Sequence, residues 1–287
     1  MPDDVPAGID TNQPNIARIY DYILGGKANF AADRKAAEQI RAVVPELAAT
    51  AWANRKFHRR AAAWIAEAGV TQFIDVGCGL PTMENTHEVV RRVNPASRVV
   101  YVDYDPVVVL HGQALLAKGD GHGVTAVVRG DVRDPESVLA AVADTGLISM
   151  DQPCGVLISA VLHFISPADD PHAAIARLMA GTAPGSFLAL THVTADNATD
   201  DQARRVMGVY SSASAPLTPR TRAEVTGFFD GMDLVPAWPG AAPGVASVTQ
   251  WGLPEPLDPE DPDVVLGSTW WAGVGRKISW PATAAIG

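Results

Sequence analysis

The apolar positions of this chain change period near residue 69. Before it they recur every three or four residues, as Ile16, Ile19, Tyr20 and Ile23 do, and later Trp52, Phe57, Trp64 and Ile65. That spacing gathers apolar side chains on one helical face. It predicts three helices: one from Pro14 stopped by Gly25-Gly26, one over Ala31 to Val44 closed by Pro45, and one from Glu46 to Ala68 ended by Gly69. Residues 1–12 are polar and rich in Pro and Asp, and predict a mobile or draped arm.

From residue 69 onward short apolar runs alternate with helical stretches. The runs fall near 70–76, 98–103, 123–129, 155–160 and 185–193, with helices predicted near 84–94, 106–117, 135–144 and 171–181. Continuous β-branched runs separated by helices predict a mostly parallel sheet covered on both faces. Thr218-Pro219 reads as an N-cap and first-turn proline opening a helix through Phe229. Met232 to Ala237, Val245 to Trp251 and Ser268 to Ile278 follow with no helix predicted between them, as an antiparallel addition to the sheet. The expectation is an α/β fold: a seven-stranded, Rossmann-like core over residues 69–287, with residues 1–68 as a helical lid.

A net charge of −10 argues against a nucleic-acid backbone or an anionic membrane as partner, since both reward a basic face. The basic runs Arg55, Lys56, Arg59, Arg60 and Arg204, Arg205 read as solvated helix faces. Two cysteines, Cys78 and Cys154, form no even framework, and the N-terminus carries no signal-type pattern, so a reducing cytoplasm is expected. No apolar run approaches membrane-spanning length.

Candidate chemistry sits where the strands end. The first strand runs into Asp75-Val76-Gly77-Cys78-Gly79, the second into Asp103 and Asp105, and the third into Gly130-Asp131-Val132. Parallel strands deliver these carboxylates to one edge, the ligand edge of an open α/β sheet. Such a set suits a ligand with hydroxyls, amino groups and a positive charge. A nicotinamide-binding Rossmann domain is the competing reading. Its third glycine would fall at Thr82, Pro81 disturbs the turn, and neither Asp131 nor the antiparallel tail has a role there.

This layout resembles that of class I S-adenosylmethionine (SAM) methyltransferases. The resemblance implies that Gly77 and Gly79 let backbone approach the methionine and ribose portions. It implies that Asp103, placed ahead of Asp105, accepts the ribose hydroxyls, as a bidentate carboxylate can. Asp131 and the Val132 N–H would meet the adenine, and the Ser159 carbonyl the methionine ammonium. Asp75 belongs to the same cofactor set.

Longer segments narrow the resemblance. Asn15 to Lys27, Ala32-Asp33-Arg34, Asn54-Arg55-Lys56-Phe57, Gln72 to Thr82, Val99 to Pro106, Val161-Leu162-His163-Phe164, Val248-Thr249-Gln250-Trp251 and Gly273 to Lys277 are similar to the actinobacterial S-adenosyl methyltransferase family. Cys78 departs from it, where a Thr or similar small residue is expected. The resemblance implies a SAM-dependent methyltransferase whose N-terminal helices lie over the strand ends, with Arg18, Tyr20, Asp21, Tyr22 and Lys27 near the pocket. Gly25-Gly26-Lys27 is no phosphate loop, having no preceding strand and no following Ser or Thr.

His163 after the fourth strand and His192 at the end of the fifth reach the correct edge to serve as a base. No spacing suggests a metal site. An Asn-Pro-Pro-Tyr motif, typical of amino methylation, is absent after the fourth strand, where Ser159-Ala160-Val161-Leu162-His163 stands. The expected acceptor is therefore a small molecule, with oxygen ahead of nitrogen or carbon. A SAM-binding sensor without turnover is the alternative.

Overall fold

The computed structural model describes residues 10–81, 84–116 and 124–279. Most of the expected N-terminal arm, residues 1–9, lies outside them, as does Thr82. Five parallel strands form the sheet centre: β1 (Gln72–Val76), β2 (Arg98–Asp103), β3 (Thr125–Arg129), β4 (Gly155–Ser159) and β5 (Phe187–Val193). β6 (Met232–Leu234), β7 (Ala246–Ser247) and β8 (Trp270–Lys277) complete it. The order is β3-β2-β1-β4-β5-β8-β6, with β8 antiparallel to β5 and β7 paired to β8. The direction of winding reverses between β1 and β4, so a crevice opens there at the carboxyl edge.

Strand alternation builds two cores. Phe73 and Leu157 face Phe57, Ile65 and Trp251 on one side, while Ile74, Val76 and Ile158 face Val138, Ile175 and Leu178 on the other. The first layer is made by helix α3 (Leu47–Glu67), whose Phe57, Ala61, Ala62 and Ile65 are all inaccessible to solvent. Full burial of such side chains stabilises by about 1.5–3 kcal/mol each. α3 therefore belongs to the sheet's own core. The shorter α1 (Ile16–Ile23) and α2 (Ala31–Arg41) make a separate cluster of Ile19, Ala36, Ala37 and Ile40. The remaining helices of the wound core are α4 (Thr86–Val93), α5 (Pro106–Leu116), α6 (Pro135–Asp144) and α7 (Pro171–Ala180).

The C-terminal third departs from expectation in four places. Helix α8 (Asp200–Tyr210) closes over the α1–α2 cluster with Val206, Val209 and Tyr210, and no helix was predicted there. Its capping box of Thr199 and Gln202 is a legible start signal, but none of its residues is fully buried and its apolar stripe is thin. The helix expected at Thr218 begins later, as α9 (Arg222–Gly227). Thr221 and Glu224 form its capping box, while Thr218 donates its N–H to the His163 carbonyl and Arg220 enters the core. The reciprocal cap holds two orphan donors and wins over Thr-Pro. A short helix α10 (Pro262–Gly267), capped by Asp261, stands where none was expected. The strand expected over Val245 to Trp251 is reduced to β7, because the chain then turns to place Trp251 edge-on to Phe57. With β7 the sheet has eight strands rather than seven.

Candidate active site

The turn after β1 explains its own sequence. Gly77 and Cys78 both donate N–H to the Val102 carbonyl, and Gly77 and Gly79 have φ of +69° and +66°. A Cβ on Gly77 would also lie 2.3 Å from Val161 Cγ2. Glycine is required there for both conformation and space.

That turn is fastened to the end of β2. Gly79 N–H donates to Asp103 Oδ2 at 2.9 Å, and Asp105 N–H donates to Asp103 Oδ1 at 3.0 Å. Burial raises the Asp103 carboxyl to about 6, although these two backbone bonds oppose the shift. Asp105 is committed elsewhere: Oδ1 accepts the Val107 N–H at the start of α5, and Oδ2 accepts Asn15 Nδ2 at 2.6 Å. Asn15 is also the N-cap of α1, so one side chain ties the N-terminal helices to the strand edge. Asp131 and Val132 follow β3. The Asp131 carboxylate is gripped by Arg133, through Nε to both oxygens and through Nη2. Burial raises the Asp131 pKa, but the bonds from Arg133 outweigh it and leave the group more acidic than usual.

A cavity of about 430 Å³ opens over these groups. Gly77, Gly79, Asp103, Asp105, Asp131, Val132, Ser159 and His163 line it, as do Tyr20 and Asp21 from α1. Tyr20 donates its hydroxyl to the Ala51 carbonyl and receives Asn54 Nδ2. Asp21 accepts from the Ala28 N–H and Asn29 Nδ2. The other three residues expected near the pocket lie off its wall. Arg18 is buried against Asp33, with Nε to Oδ2 at 2.8 Å, and braces α1 on α2. Tyr22 donates to Glu38, and Lys27 is exposed.

Asp75 also lies behind the wall rather than on it. It accepts from the Thr86 hydroxyl at 2.6 Å, and burial raises its carboxyl to about 6. His192 is enclosed as well. Its Nδ1 meets the Val193 carbonyl at 2.7 Å, so it carries the proton. Nε2 then accepts from Arg220 Nη1 at 2.9 Å. Both ring nitrogens are engaged, and burial foremost depresses this histidine to about 3. His163 reaches the cavity. Its Nδ1 faces the Val193 N–H at 3.4 Å, and its pKa is held well below the usual range by burial and then by His192 and Arg220.

The sequence reading overlooked a polar stripe on α3. Thr50, Asn54 and His58 stand four residues apart, all buried, on a face otherwise filled by Ala, Phe and Ile. Polar residues at helical spacing within an apolar face are the signal that marks them. Arg55, read as part of a solvated face, lines the cavity near Cys78 and Gly79. Its neighbours in the basic run are also engaged, Arg59 with Glu84 and Arg60 with the Val248 and Trp251 carbonyls.

A parallel sheet ending in an antiparallel hairpin strand, a glycine turn after β1, an acid ending β2 and another after β3 define a class I SAM-dependent methyltransferase. The chain belongs to the S-adenosyl methyltransferase family, whose profile matches residues 2–278. It is 38% identical to a candidate methyltransferase from Thermobifida fusca YX, with a TM-score of 0.84 over 96% of this chain and 98% of that one. It is 37% identical to a DUF574 family protein from Streptomyces avermitilis MA-4680, with a TM-score of 0.83 over 93% and 99% of the two chains. No curated protein matches the chain. No helix among the described residues is long and apolar enough to cross a membrane.

Proposed function

We propose that this methyltransferase transfers the SAM methyl group to a small, largely apolar acceptor, at oxygen in preference to nitrogen or carbon. The observation that carries this reading is the two-sided wall of the cavity. One side carries the glycine turn and three carboxylates at strand ends; the other is led by Ile16, Leu24, Val44, Phe164, Val206 and Tyr210, with Asp21, Asn54 and Gln202 among them. A pocket with a polar side and a largely apolar side suits a small organic ligand beside a nucleoside.

The donor set fits the cofactor. Asp103 Oδ1 and Oδ2 each hold one backbone N–H and keep lone pairs for ribose hydroxyls. The Gly77–Gly79 backbone would approach the methionine portion, and Val132 N–H the adenine edge. Asp131 serves there through position, since Arg133 occupies its carboxylate. Arg55 offers a cation on the glycine-turn side, suited to the methionine carboxylate. The ammonium falls to Ser159.

When bound, SAM supplies a methyl carbon already activated by a positive sulfur. The protein's task is then to orient the acceptor in line and exclude water, effects that can supply about 7–11 kcal/mol. α1, α2 and α8, which cluster apart from the sheet's own core, act as the lid. His163 on the wall is the candidate to receive the acceptor's hydrogen bond, while His192, with both nitrogens engaged, holds Arg220 in place. Ser159-Ala160-Val161 in place of an Asn-Pro-Pro-Tyr motif favours oxygen. Release of S-adenosylhomocysteine (SAH) across a panel of phenols, apolar alcohols, amines and charged sugars tests the assignment. Turnover with the hydroxylated apolar compounds is expected; turnover confined to amines or polyanions would overturn it.

A further inference from the structure

Four polar side chains form a continuous chain behind the cavity wall, and no step described above uses it. Ser159 Oγ lies 2.9 Å from His58 Nδ1, His58 Nε2 lies 2.8 Å from Thr86 Oγ1, and Thr86 Oγ1 lies 2.6 Å from Asp75 Oδ2. Three of the four are shut from solvent, with Asp75 at 5%, Thr86 at 2% and His58 at 2% exposure. Only Ser159 reaches the cavity. The chain joins the ends of β1 and β4 to the first turn of α4 and the middle of α3.

We propose that His58 is a positioning residue that fixes the Ser159 hydroxyl as a hydrogen-bond acceptor for the α-ammonium of the cofactor's methionine portion. This rests on the cofactor reading given above. The sense of the chain follows from counting donors. Ionised Asp75 can only accept, so the Thr86 hydroxyl proton points to it. Thr86 Oγ1 then has only lone pairs left, and His58 Nε2 must carry the proton that fills the contact. A neutral imidazole protonated on Nε2 has a bare Nδ1, which takes the Ser159 hydroxyl proton. Ser159 Oγ is left showing lone pairs to the cavity. An ammonium is attracted there, and the Asp75 charge is felt at the surface without being exposed.

The same chain can reverse. A proton on Asp75 lets that carboxyl donate to Thr86. Thr86 then donates to His58 Nε2, His58 donates from Nδ1, and the Ser159 proton swings into the cavity. One proton bound at Asp75 converts the cavity-facing hydroxyl from acceptor to donor, which opposes an ammonium. The proton enters from the cavity at Ser159; Ser159, His58 and Thr86 each receive one proton and pass one on, and Asp75 keeps the last. His58 stays neutral throughout, because burial and then the charges of Arg55 and Arg59 depress it to about 3.

The groups facing this chain come from every packed element. Arg55 and Arg59 stand on α3, and Cys78 follows β1. Tyr101 and Asp103 lie on β2, with His87 of α4 bound to the Tyr101 hydroxyl. Asp103 titrates in the same range as Asp75. The test must therefore separate the two.

Methylthioadenosine does so, because it keeps the adenosine and the thioether of SAH and lacks the amino acid. Both ligands need ionised Asp103, and only SAH presents an ammonium to Ser159. Calorimetry from about pH 5 to about pH 7.5 should show both affinities falling on acidification, with SAH falling more steeply. Ser159→Ala should weaken SAH about tenfold and leave methylthioadenosine within about twofold, as expected for one bond to a charged group. Thr86→Val removes the hydroxyl that relays between His58 and Asp75, leaving only the 3.5 Å approach of His58 Nε2 to Asp75 Oδ2, and the SAH profile should flatten toward that of methylthioadenosine. His58→Gln should do the same, and Thr86→Val and Ser159→Ala decide the matter if that buried variant does not fold. Parallel pH profiles for the two ligands in the unaltered protein would overturn the proposal. So would an unchanged SAH profile in Thr86→Val. Binding of neither ligand at millimolar concentration would instead overturn the cofactor reading itself, and this proposal with it.

Discussion

At the end of β2, two carboxylates two residues apart hold different partners. Both Asp103 oxygens accept backbone N–H groups and keep lone pairs toward the cavity, whereas Asp105 spends one oxygen on the start of α5 and the other on Asn15. Asp103→Ala should therefore weaken SAM binding at least about tenfold, the loss of one or two charge-assisted bonds at roughly 1.5–3 kcal/mol each. Asp105→Ala should weaken it less and lower stability instead. The reverse ranking in calorimetry would move the ribose contact to Asp105. Residue types at strand ends were legible in the sequence, because a continuous apolar run ending on an acid marks its own edge. Partners were not. Arg133 neutralises Asp131 from two residues away, and Arg220 reaches His192 across 28 positions to occupy the nitrogen a base would need. The second pairing depends on where the chain folds back, which no local pattern encodes.

Among the elements, α1, α2 and α8 form a cluster distinct from the sheet's two cores. Its ties to the rest are few: Asn15 to Asp105, Tyr20 to the Ala51 carbonyl and Asn54, Leu47 packed against the cluster, and Phe164 against Tyr210. α3 stays packed on the sheet without them. Removing residues 1–30 should leave a cooperatively folding protein that binds SAH at least about tenfold more weakly, having lost the Asn15 contact and one wall. Unchanged SAH affinity would restrict this segment to acceptor recognition or packing. The helix–strand alternation made the parallel core readable, since a strand buried on both faces and a one-sided helix leave different periods. The C-terminal third was harder. α8 is too polar for its period to stand out, and α9 begins at a capping box that outcompetes the Thr-Pro pair two residues earlier.

Across the whole molecule, buried titratable groups set the response to acid. His58 and His192 are depressed to about 3, and His163 also lies far below its usual value. The unfolded chain would bind protons at these sites near pH 6.5, so their contribution to stability is present above that value and is lost as pH falls. Asp75 and Asp103, raised to about 6, act with the opposite sign, because the folded state takes up their protons first. From about pH 6.5 to about pH 6 the histidines act alone, and below that three sites oppose two. The melting temperature of the ligand-free protein should be lower at about pH 5.5 than at about pH 7.5. A rise on acidification would show that the carboxylates dominate and that the histidines are less enclosed than described.

The central claim is that the carboxyl edge between β1 and β4 holds the methyl donor. Thermal unfolding with SAH tests it most directly, because the product needs no acceptor and binds the folded state alone. At about 100 times its dissociation constant SAH should stabilise the protein by roughly 2.7 kcal/mol, and Asp103→Ala should shift that response to higher ligand concentration. An unfolding curve that neither SAM nor SAH displaces at millimolar concentration would contradict the account.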